Sequence, residues 1–352
     1  MFFTSKKRIF KQADLIKKTV IYLFFNALLL QFSFGQDIHF SQFNGSLLNV
    51  SPGFTGLFNG DFRVGAIYRS QWQTVPVKYS TFSMTGEARI KPQQLAKDMV
   101  GVGVVFNSDR AGDARYGTTQ FYVNGSYIFL GSPDSSLLIS LGMNLGFCQV
   151  GFDYSKMTFN NQYDGLQFVP SSASGEEFSY TNFNFVDINL GASAQYILYG
   201  RHRFTYGMGL FHITSPKITY QENKNSRLDF KLTNYLGYAA PINVKTDIIA
   251  EMLLTNQGKN YELIPHASLK YYISRDLNQA VLGGLCFRAR DAVVVRFGYH
   301  FKTLQSGIAY DVNVSKFNAA TNRRGGFEMY VNYIIKRKRS YIAKKRFCPV
   351  FM

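Results

Sequence analysis

Apolar and polar residues alternate with a period of two along much of the chain after residue 35. The alternation is clearest between residues 184 and 198, where one side is Val186, Ile188, Leu190, Ala192, Ala194, Tyr196 and Leu198 and the other is Asp187, Asn189, Gly191, Ser193 and Gln195. The same pattern returns in 293–301, 306–315 and 327–335. Successive side chains of a β-strand point to opposite faces, so this period indicates strands, and no sustained helical period accompanies it. The sequence therefore predicts an all-β protein.

The predicted strands are long. Many extend over about ten residues or more, which exceeds the usual five or six of soluble sheets and matches the roughly nine to eleven of a tilted strand that crosses a membrane. Their polar sides contain mostly Gly, Ser, Asn and Gln, whereas the wet face of a β-sandwich would carry more Lys and Glu. We therefore predict a transmembrane antiparallel β-barrel of about 14 strands. The strands are expected at 61–72, 77–90, 99–107, 117–130, 136–151, 183–199, 202–214, 227–239, 244–254, 260–273, 279–288, 292–301, 305–315 and 325–336.

The strand count also predicts an orientation in the membrane. Single-chain bacterial barrels have an even number of strands, and an even count places both termini on one side, the periplasm. Long connections face the outside in such barrels, and the segments 152–182 and 215–226 both follow odd-numbered strands. The barrel is predicted over 61–336. The segment 36–60 before it is too irregular for a strand, and it lies either in the periplasm or in the barrel mouth.

The composition agrees with a membrane barrel. Aromatic residues make up 16% and charged residues 17% of the chain, yet the mean hydropathy is only −0.10. Lipid-facing and lumen-facing residues balance each other in a barrel, whereas a bundle of apolar helices would be far more hydrophobic. The net charge of +17 is concentrated at the two ends of the chain. We therefore predict a basic C-terminal tail over 337–352, and no nucleic-acid-binding face.

The start of the chain is predicted to be a secretory signal peptide, residues 1–35. Basic residues between Lys6 and Lys18 precede an apolar run over 20–30, and Ser33-Phe34-Gly35 supplies the small residues for cleavage before Gln36. The alternative is an uncleaved membrane anchor. That alternative would need an apolar run of roughly 20 residues.

No catalytic, cofactor or metal site can be assembled from the sequence, and we predict that the protein is not an enzyme. The five histidines fit no zinc or catalytic-triad pattern; they are His39, His202, His212, His266 and His300. The three isolated cysteines are interpreted as packing residues, because they form neither a disulfide framework nor a zinc set; they are Cys148, Cys286 and Cys348. Glycines within the strands suit bulges and barrel curvature.

Four charged or titratable residues are expected to line the lumen. Arg63 and Arg69 of the first strand, and Arg296 and His300 of a later one, alternate with apolar residues. A charge facing lipid costs roughly 2–4 kcal/mol at mid-depth, so these side chains should face inward. The two arginines of the first strand either make the lumen favour anions or pair with acidic residues, for which the candidates are Asp187, Asp311 and Glu87.

The densest charge cluster contains Asp109, Arg110, Asp113 and Arg115, in a predicted outer loop. The aspartates suit a cation, and the arginines suit a carboxylate of a partner. The third interpretation is an internal Asp–Arg brace of the loop. We favour the brace because calcium loops normally supply more oxygen ligands at fixed offsets.

Short motifs follow one another along the mature chain. Those before and within the first strand contain Gln36, Asp37, Phe40, Ser41, Gln42, Phe43, Pro52, Tyr68, Arg69 and Trp72. Further motifs lie at 101–106, 109–112, 145–147, 158–164, 174–176 and 212–216, and at the ending Cys348-Pro349. Taken together in this order, the motifs resemble the PorP/SprF family of type IX secretion and gliding proteins. Ile38 and Val350 depart from the residues common in the family.

The resemblance implies an outer-membrane component of the type IX secretion and gliding machinery, without catalytic activity. The implied partners are outer-membrane lipid, periplasmic components of the secretion system, and a large secreted surface adhesin that the barrel docks and helps to export or anchor. From the residues themselves, the alternative is an outer-membrane channel for small solutes. It would use the polar lumen and the arginines of the first strand.

Overall fold

The structure is a computed structural model, and it describes residues 37–72, 78–95, 97–132, 136–176, 178–198, 201–220, 225–289, 291–315 and 323–337. The predicted signal peptide, Gln36 and nearly all of the predicted basic tail lie outside these ranges. The chain divides into two compact units, Met1–Asp37 and Ile38–Met352. In the described ranges, no helix is long and apolar enough to cross a membrane.

The described residues form fourteen antiparallel strands in one closed barrel, in which each strand pairs with its neighbours in sequence and β1 pairs with β14. The prediction of an all-β barrel of about 14 strands is confirmed. The strands are β1 Phe62–Gln71, β2 Tyr79–Ile90, β3 Met99–Ala111, β4 Tyr116–Leu130, β5 Leu137–Gly151, β6 Asn182–Ile197, β7 Arg203–Phe211, β8 Lys231–Asn243, β9 Thr246–Gln257, β10 Asn260–Tyr272, β11 Gln279–Arg288, β12 Ala292–Phe301, β13 Leu304–Asn313 and β14 Arg324–Ile335.

Short 3-10 helices accompany the strands in the described ranges. Three precede β1, and they span Phe43–Gly45, Leu47–Asn49 and Pro52–Phe54. Three more lie in connections, at Gln93–Leu95, Tyr154–Lys156 and Asn160–Gln162.

The period-two pattern separates the two faces of the wall as expected. On β5, Leu141 and Phe147 point outward and are each 55% exposed, while Ser140 and Asn144 point inward and are buried. Outward apolar side chains form the surface that faces lipid, and inward polar side chains line the lumen. A single slip in register would exchange the two faces, so the pattern fixes the register of each strand.

The barrel has two unlike ends. At the end where β1 begins and β14 finishes, the connections are mostly short; we call it the terminal end. At the opposite end lie the long connections 152–181 and 212–230, and we call it the loop end.

Three boundaries differ from the prediction by four residues: the end of β3 and both ends of β8, which finishes at Asn243 rather than at 239. Strand β3 continues to Ala111, because Asp109 faces inward and accepts a hydrogen bond from Thr81 Oγ1 at 2.6 Å. The predicted outer loop at 107–115 is therefore reduced to a short turn, in which Gly112 and Arg115 have positive φ. Strand β8 begins at Lys231 rather than at 227, because Arg227 forms an isolated antiparallel bridge with Lys217, and Ile218 N donates to Ser226 O at 2.8 Å beside it.

Candidate functional site

The lumen is filled by the chain's own N-terminal segment, residues 38–60, which we call the plug. A barrel of eight strands is filled by its own side chains, and wider barrels leave room for a channel or a plug. Here Phe40, Phe43 and Phe54 are each at most 3% exposed. They pack among inward-facing wall residues such as Tyr235 and Ile264. The segment whose place the sequence left open thus lies inside the barrel.

The plug runs the full height of the lumen. At its start, His39 O accepts a hydrogen bond from Arg69 Nη1 at 3.0 Å, and His39 Nε2 lies 3.8 Å from Glu262 Oε1. Both partners lie close to the loop end. At its finish, Gly60 lies beside Ile334 at the terminal end. The first described residues of this unit therefore lie at the opposite end of the barrel from Ile335.

One buried carboxylate holds the start of the plug. Glu328 of β14 is fully buried, and its two oxygens accept the backbone N–H groups of Ser41 and Gln42, each at 2.8 Å. Arg69, directly opposite on β1, lies 3.1 Å from the same carboxylate through Nε and 3.3 Å from Asp311 through Nη2. Arg288 completes the group, bonding Asp311 at 3.0 Å and Ser41 Oγ at 2.8 Å. Each buried charge therefore has an opposite charge beside it.

A histidine binds the next carbonyl of the plug. His266 Nε2 lies 2.8 Å from Ser41 O, and its ring stacks on Phe43 with 4.5 Å between centroids. Arg296 Nη1 lies 2.7 Å from the other nitrogen, Nδ1. Because an arginine only donates, Nδ1 must accept and Nε2–H must donate to Ser41 O. This short contact outweighs the 3.5 Å approach of Glu251 to Nδ1, which would require the opposite tautomer.

Glycines and hydroxyls of the wall receive the middle of the plug. A Cβ at Gly142 would lie 2.3 Å from Pro52 O, and a Cβ at Gly101 would lie 2.3 Å from Thr55 O. Beside these close approaches, wall hydroxyls donate to plug carbonyls: Ser126 to Thr55 at 2.6 Å, Ser193 to Gly53 at 2.6 Å and Thr233 to Val50 at 2.5 Å. Buried backbone groups need such partners, and here the wall supplies them.

The residues singled out from the sequence separate into three sets. Arg63 pairs with Glu87 at 2.6 Å, Arg69 with Asp311 and Glu328, and Arg296 with His266 and Glu251. His300 lines the lumen nearer the terminal end, on the same face of β12 as Arg296. The former loop cluster is not brought together as a site, because Asp109 faces inward while Arg110, Asp113 and Arg115 are exposed.

The family-motif positions lie mainly in the plug. Phe40, Ser41, Gln42, Phe43 and Pro52 are buried there, and Asp37 is half-buried. Tyr68 faces outward on β1, and Trp72 packs edge-on against Tyr79 at the loop end. Gln36 lies outside the described residues.

The sequence did not indicate Glu328, His266, Arg288 or Glu251 as site residues. Their signal was the strand alternation itself, since each occupies an inward position between outward apolar residues. A further buried pair was also missed. Asp187 Oδ2 accepts a hydrogen bond from Tyr122 at 3.0 Å and contacts His212 Nδ1 at 2.9 Å.

The two long connections at the loop end fold together over an aromatic cluster. Tyr220 of the second connection packs edge-on against Phe152 and Phe183, with ring centroids 5.0 and 5.1 Å apart. Burial raises the pKa of the Tyr220 hydroxyl. Ser179 N donates to Tyr220 O at 3.0 Å and joins the two connections through their backbones. The loops thus form one assembly over the barrel.

A small turn projects from this assembly. Tyr163 and Phe168 form an isolated β-bridge, and Leu166 between them is 91% exposed. Asp164 Oδ1 accepts the backbone N–H groups of Gln167 and Leu166, each at 2.8 Å. These bonds lower the pKa of the Asp164 carboxyl below its usual value. The charged carboxylate therefore fixes the shape of an apolar tip.

The fold and the filled lumen define an outer-membrane β-barrel with an internal plug. Within the described ranges, no group of three or more His, Cys, Asp or Glu side chains is placed to hold a metal ion. The chain belongs to the type IX secretion system membrane protein PorP/SprF family, whose model matches residues 32–333. It is therefore an outer-membrane component of a type IX secretion system, and its family consists of secretion components rather than enzymes.

Solved structures of other outer-membrane barrels are similar to this chain at low identity. The P. putida toluene transporter TodX has a TM-score of 0.48 and 10% identity, covering 82% of this chain and 93% of that one. A Pseudomonas aeruginosa FadL homologue has a TM-score of 0.46 and 9% identity, and the match covers 80% of this chain and 92% of that one. BamA from Haemophilus ducreyi lacking POTRA domains 1-3 has a TM-score of 0.40 and 9% identity, and the match covers 78% of this chain and 70% of that one. No curated protein sequence matches the chain.

Proposed function

We propose that this barrel docks a large secreted surface protein, such as an adhesin used in gliding, and helps to export or anchor it. The observation that carries the proposal is the filled lumen. A channel for small solutes needs an open path, whereas here Ser41, Gly53 and Thr55 are hydrogen-bonded to residues of several wall strands. Membership of the type IX secretion family supports a role with exported proteins.

The loop end is the proposed docking face. Long connections of bacterial barrels face the outside, so the loop end would face the cell exterior and the terminal end the periplasm. The loop assembly presents Leu166 and its neighbours Tyr163 and Phe168, which are exposed apolar side chains. Contiguous exposed apolar groups commonly mark protein interaction sites. The surface protein would bind this tip.

The terminal end is proposed to meet the periplasmic components of the secretion machinery. The C-terminal strand ends there, and the basic tail that follows would extend the positive charge into the periplasm. Export through a cleaved signal peptide and the absence of catalysis belong to the same proposal.

Capture from native membranes tests the docking role. The tagged barrel, extracted in mild detergent, should retain a large exported protein, and Leu166→Asp should lose it. Val244→Asp is the matched control, because Val244 is an apolar residue that is 80% exposed at the terminal end. Recovery of the unaltered barrel without any large exported partner would contradict the proposal. Equal capture by both variants would move the docking face away from the tip.

A further inference from the structure

Positive charge exceeds negative charge in the lumen near the terminal end. Arg201 in the connection before β7, Arg203 at the start of β7 and Lys270 of β10 lie there; we call them the basic cluster. Asp247 lies directly opposite Lys270 on the neighbouring strand β9. The positive charges of Arg201 and Arg203 are both close enough to repel the Lys270 ammonium group, so the three cations share one region.

An aromatic ring organises the cluster. Lys270 Nζ lies 4.8 Å and Arg201 Cζ 5.2 Å from the centroid of the Tyr272 ring. The two cations are thus within the ~10 Å over which charges interact at physiological salt. Asp247 is already engaged: one oxygen accepts Arg201 Nε and the other accepts the Tyr272 hydroxyl, each at 2.8 Å.

Arg201 has hydrogen-bond partners for its guanidinium group, whereas Lys270 and Arg203 have no carboxylate in contact among the described residues. Besides Asp247, Arg201 donates to the carbonyls of Val244 at 2.9 Å and Asn243 at 2.7 Å. Among the described residues, no carboxylate oxygen lies within 4.0 Å of Lys270 or Arg203. Lys270 is half-buried, and a cation that has lost part of its hydration normally has an opposite charge in contact. Arg203 is exposed and adds its positive charge from the solvent side.

Two buried polar atoms beside the cluster also lack partners. Ser268, one inward position along β10 from Lys270, is 5% exposed, and its hydroxyl has no hydrogen-bond partner in the described part of the chain. His300 Nε2 on β12 is likewise buried and unpartnered there. Buried polar groups are nearly always hydrogen-bonded, so these two atoms beside the excess positive charge are available to bind a ligand.

We propose that the basic cluster binds an oxyanion, which reaches it from the terminal end of the barrel, where Arg203 is exposed. Lys270 and Arg203 supply the charge, and Arg201 with Tyr272 and Asp247 forms the frame that holds Lys270 in place. A carboxylate on an acidic peptide segment and a free phosphate offer the same chemistry to these two cations. The site lies apart from the loop-end face and does not depend on what docks there.

Calorimetric titration of the purified full-length mature barrel tests the site, with inorganic phosphate and a hexaglutamate peptide as separate probes at constant ionic strength. Lys270→Met and, independently, Arg203→Gln should each weaken binding by at least about tenfold, the loss that one charge-assisted contact brings. Lys245→Met is the control, because Lys245 is exposed at the same end outside the cluster. It should bind as the unaltered protein does.

The two probes distinguish the sources of the anion. Binding of phosphate that depends on Lys270 supports a site for a free anion, and binding of the peptide alone supports a site for an acidic partner segment. The proposal fails if neither probe binds, or if both cluster variants bind as tightly as Lys245→Met. Arg203 is exposed, so its variant keeps the test valid if Lys270→Met fails to fold.

Discussion

Replacing Glu328 by glutamine should loosen the start of the plug while leaving the barrel intact. The carboxylate accepts two backbone N–H groups at 2.8 Å and faces Arg69 at 3.1 Å. Glutamine keeps the shape but has one accepting oxygen, so its amide nitrogen would face a backbone donor. The variant also removes one of the two buried carboxylates beside Arg69 and leaves it with Asp311 at 3.3 Å.

The size of the effect follows from these contacts. Hydrogen bonds to charged groups contribute about 1.5–3 kcal/mol each, and two are weakened or lost. A net cost of about 3 kcal/mol raises the population of the detached start roughly hundredfold, since each 1.4 kcal/mol is a factor of ten. The bonds of Thr55, Gly53 and Val50 to the wall are untouched. The middle of the plug should therefore stay in place.

Hydrogen exchange and planar-bilayer recording measure this change together. In the unaltered protein, the amides of Ser41 and Gln42 should exchange slowly and the barrel should conduct no steady current. In Glu328→Gln both amides should exchange much faster, with brief openings at most. Glu176→Gln, an exposed carboxylate at the loop end, is the control. Unchanged protection of both amides in Glu328→Gln would refute the anchoring role of Glu328. A steady current through the unaltered barrel would support the alternative function, a channel for small solutes.

Three further predictions concern other contacts. Gly142→Val should displace the plug and give steady conductance, because its Cβ would lie 2.3 Å from Pro52 O, whereas Gly125→Val, with nothing within 4 Å of its Cβ, should remain silent in the same bilayers. Asp187→Asn should lower the free energy of unfolding by about 2 kcal/mol, and with it the midpoint of denaturant unfolding, since Tyr122 and His212 then face a neutral amide instead of a buried carboxylate. Asp164→Ala should weaken capture of the surface protein at neutral pH. In the unaltered barrel, the pKa of Asp164 lies below its usual value of 3.8, so the tip should stay ordered above pH 3.8 and lose its order as the pH falls through the lowered pKa. Capture of the surface protein by the unaltered barrel and by Asp164→Ala, measured over a series of pH values, checks the two expectations. A decline in capture by the unaltered barrel that begins near neutral pH would contradict the role of Asp164.

The barrel was predictable because its evidence is local. Each strand carries its own alternation, and lipid outside with a polar lumen inside enforces that pattern at every position. The errors fell where local pattern meets long-range contact. Asp109 and Arg110 looked like loop residues because they are charged, yet the bond from Thr81 on the neighbouring strand keeps β3 paired to Ala111.

The plug was not predictable because its evidence is distant. Ser41 and Glu328 are separated by 287 residues, and neither has a local pattern that points to the other. The strand glycines were interpreted as bulges and curvature, but Gly142 and Gly101 make room for plug carbonyls. A glycine in a strand allows close approach of another backbone, and only the tertiary structure identifies which backbone that is.

The division of charge between wall and plug indicates how the two depend on each other. Residues 38–60 contain no Asp, Glu, Lys or Arg, so the charges of their binding site belong to the wall. The wall charges are also paired among themselves, as Arg63 with Glu87 and Arg69 with Glu328. Withdrawal of the plug would leave these pairs intact and expose them to water, which lowers their desolvation cost. We therefore expect the ion pairs of the wall to survive withdrawal of the plug, whereas the plug, with short 3-10 helices and a backbone bonded to the wall, depends on the wall for its fold.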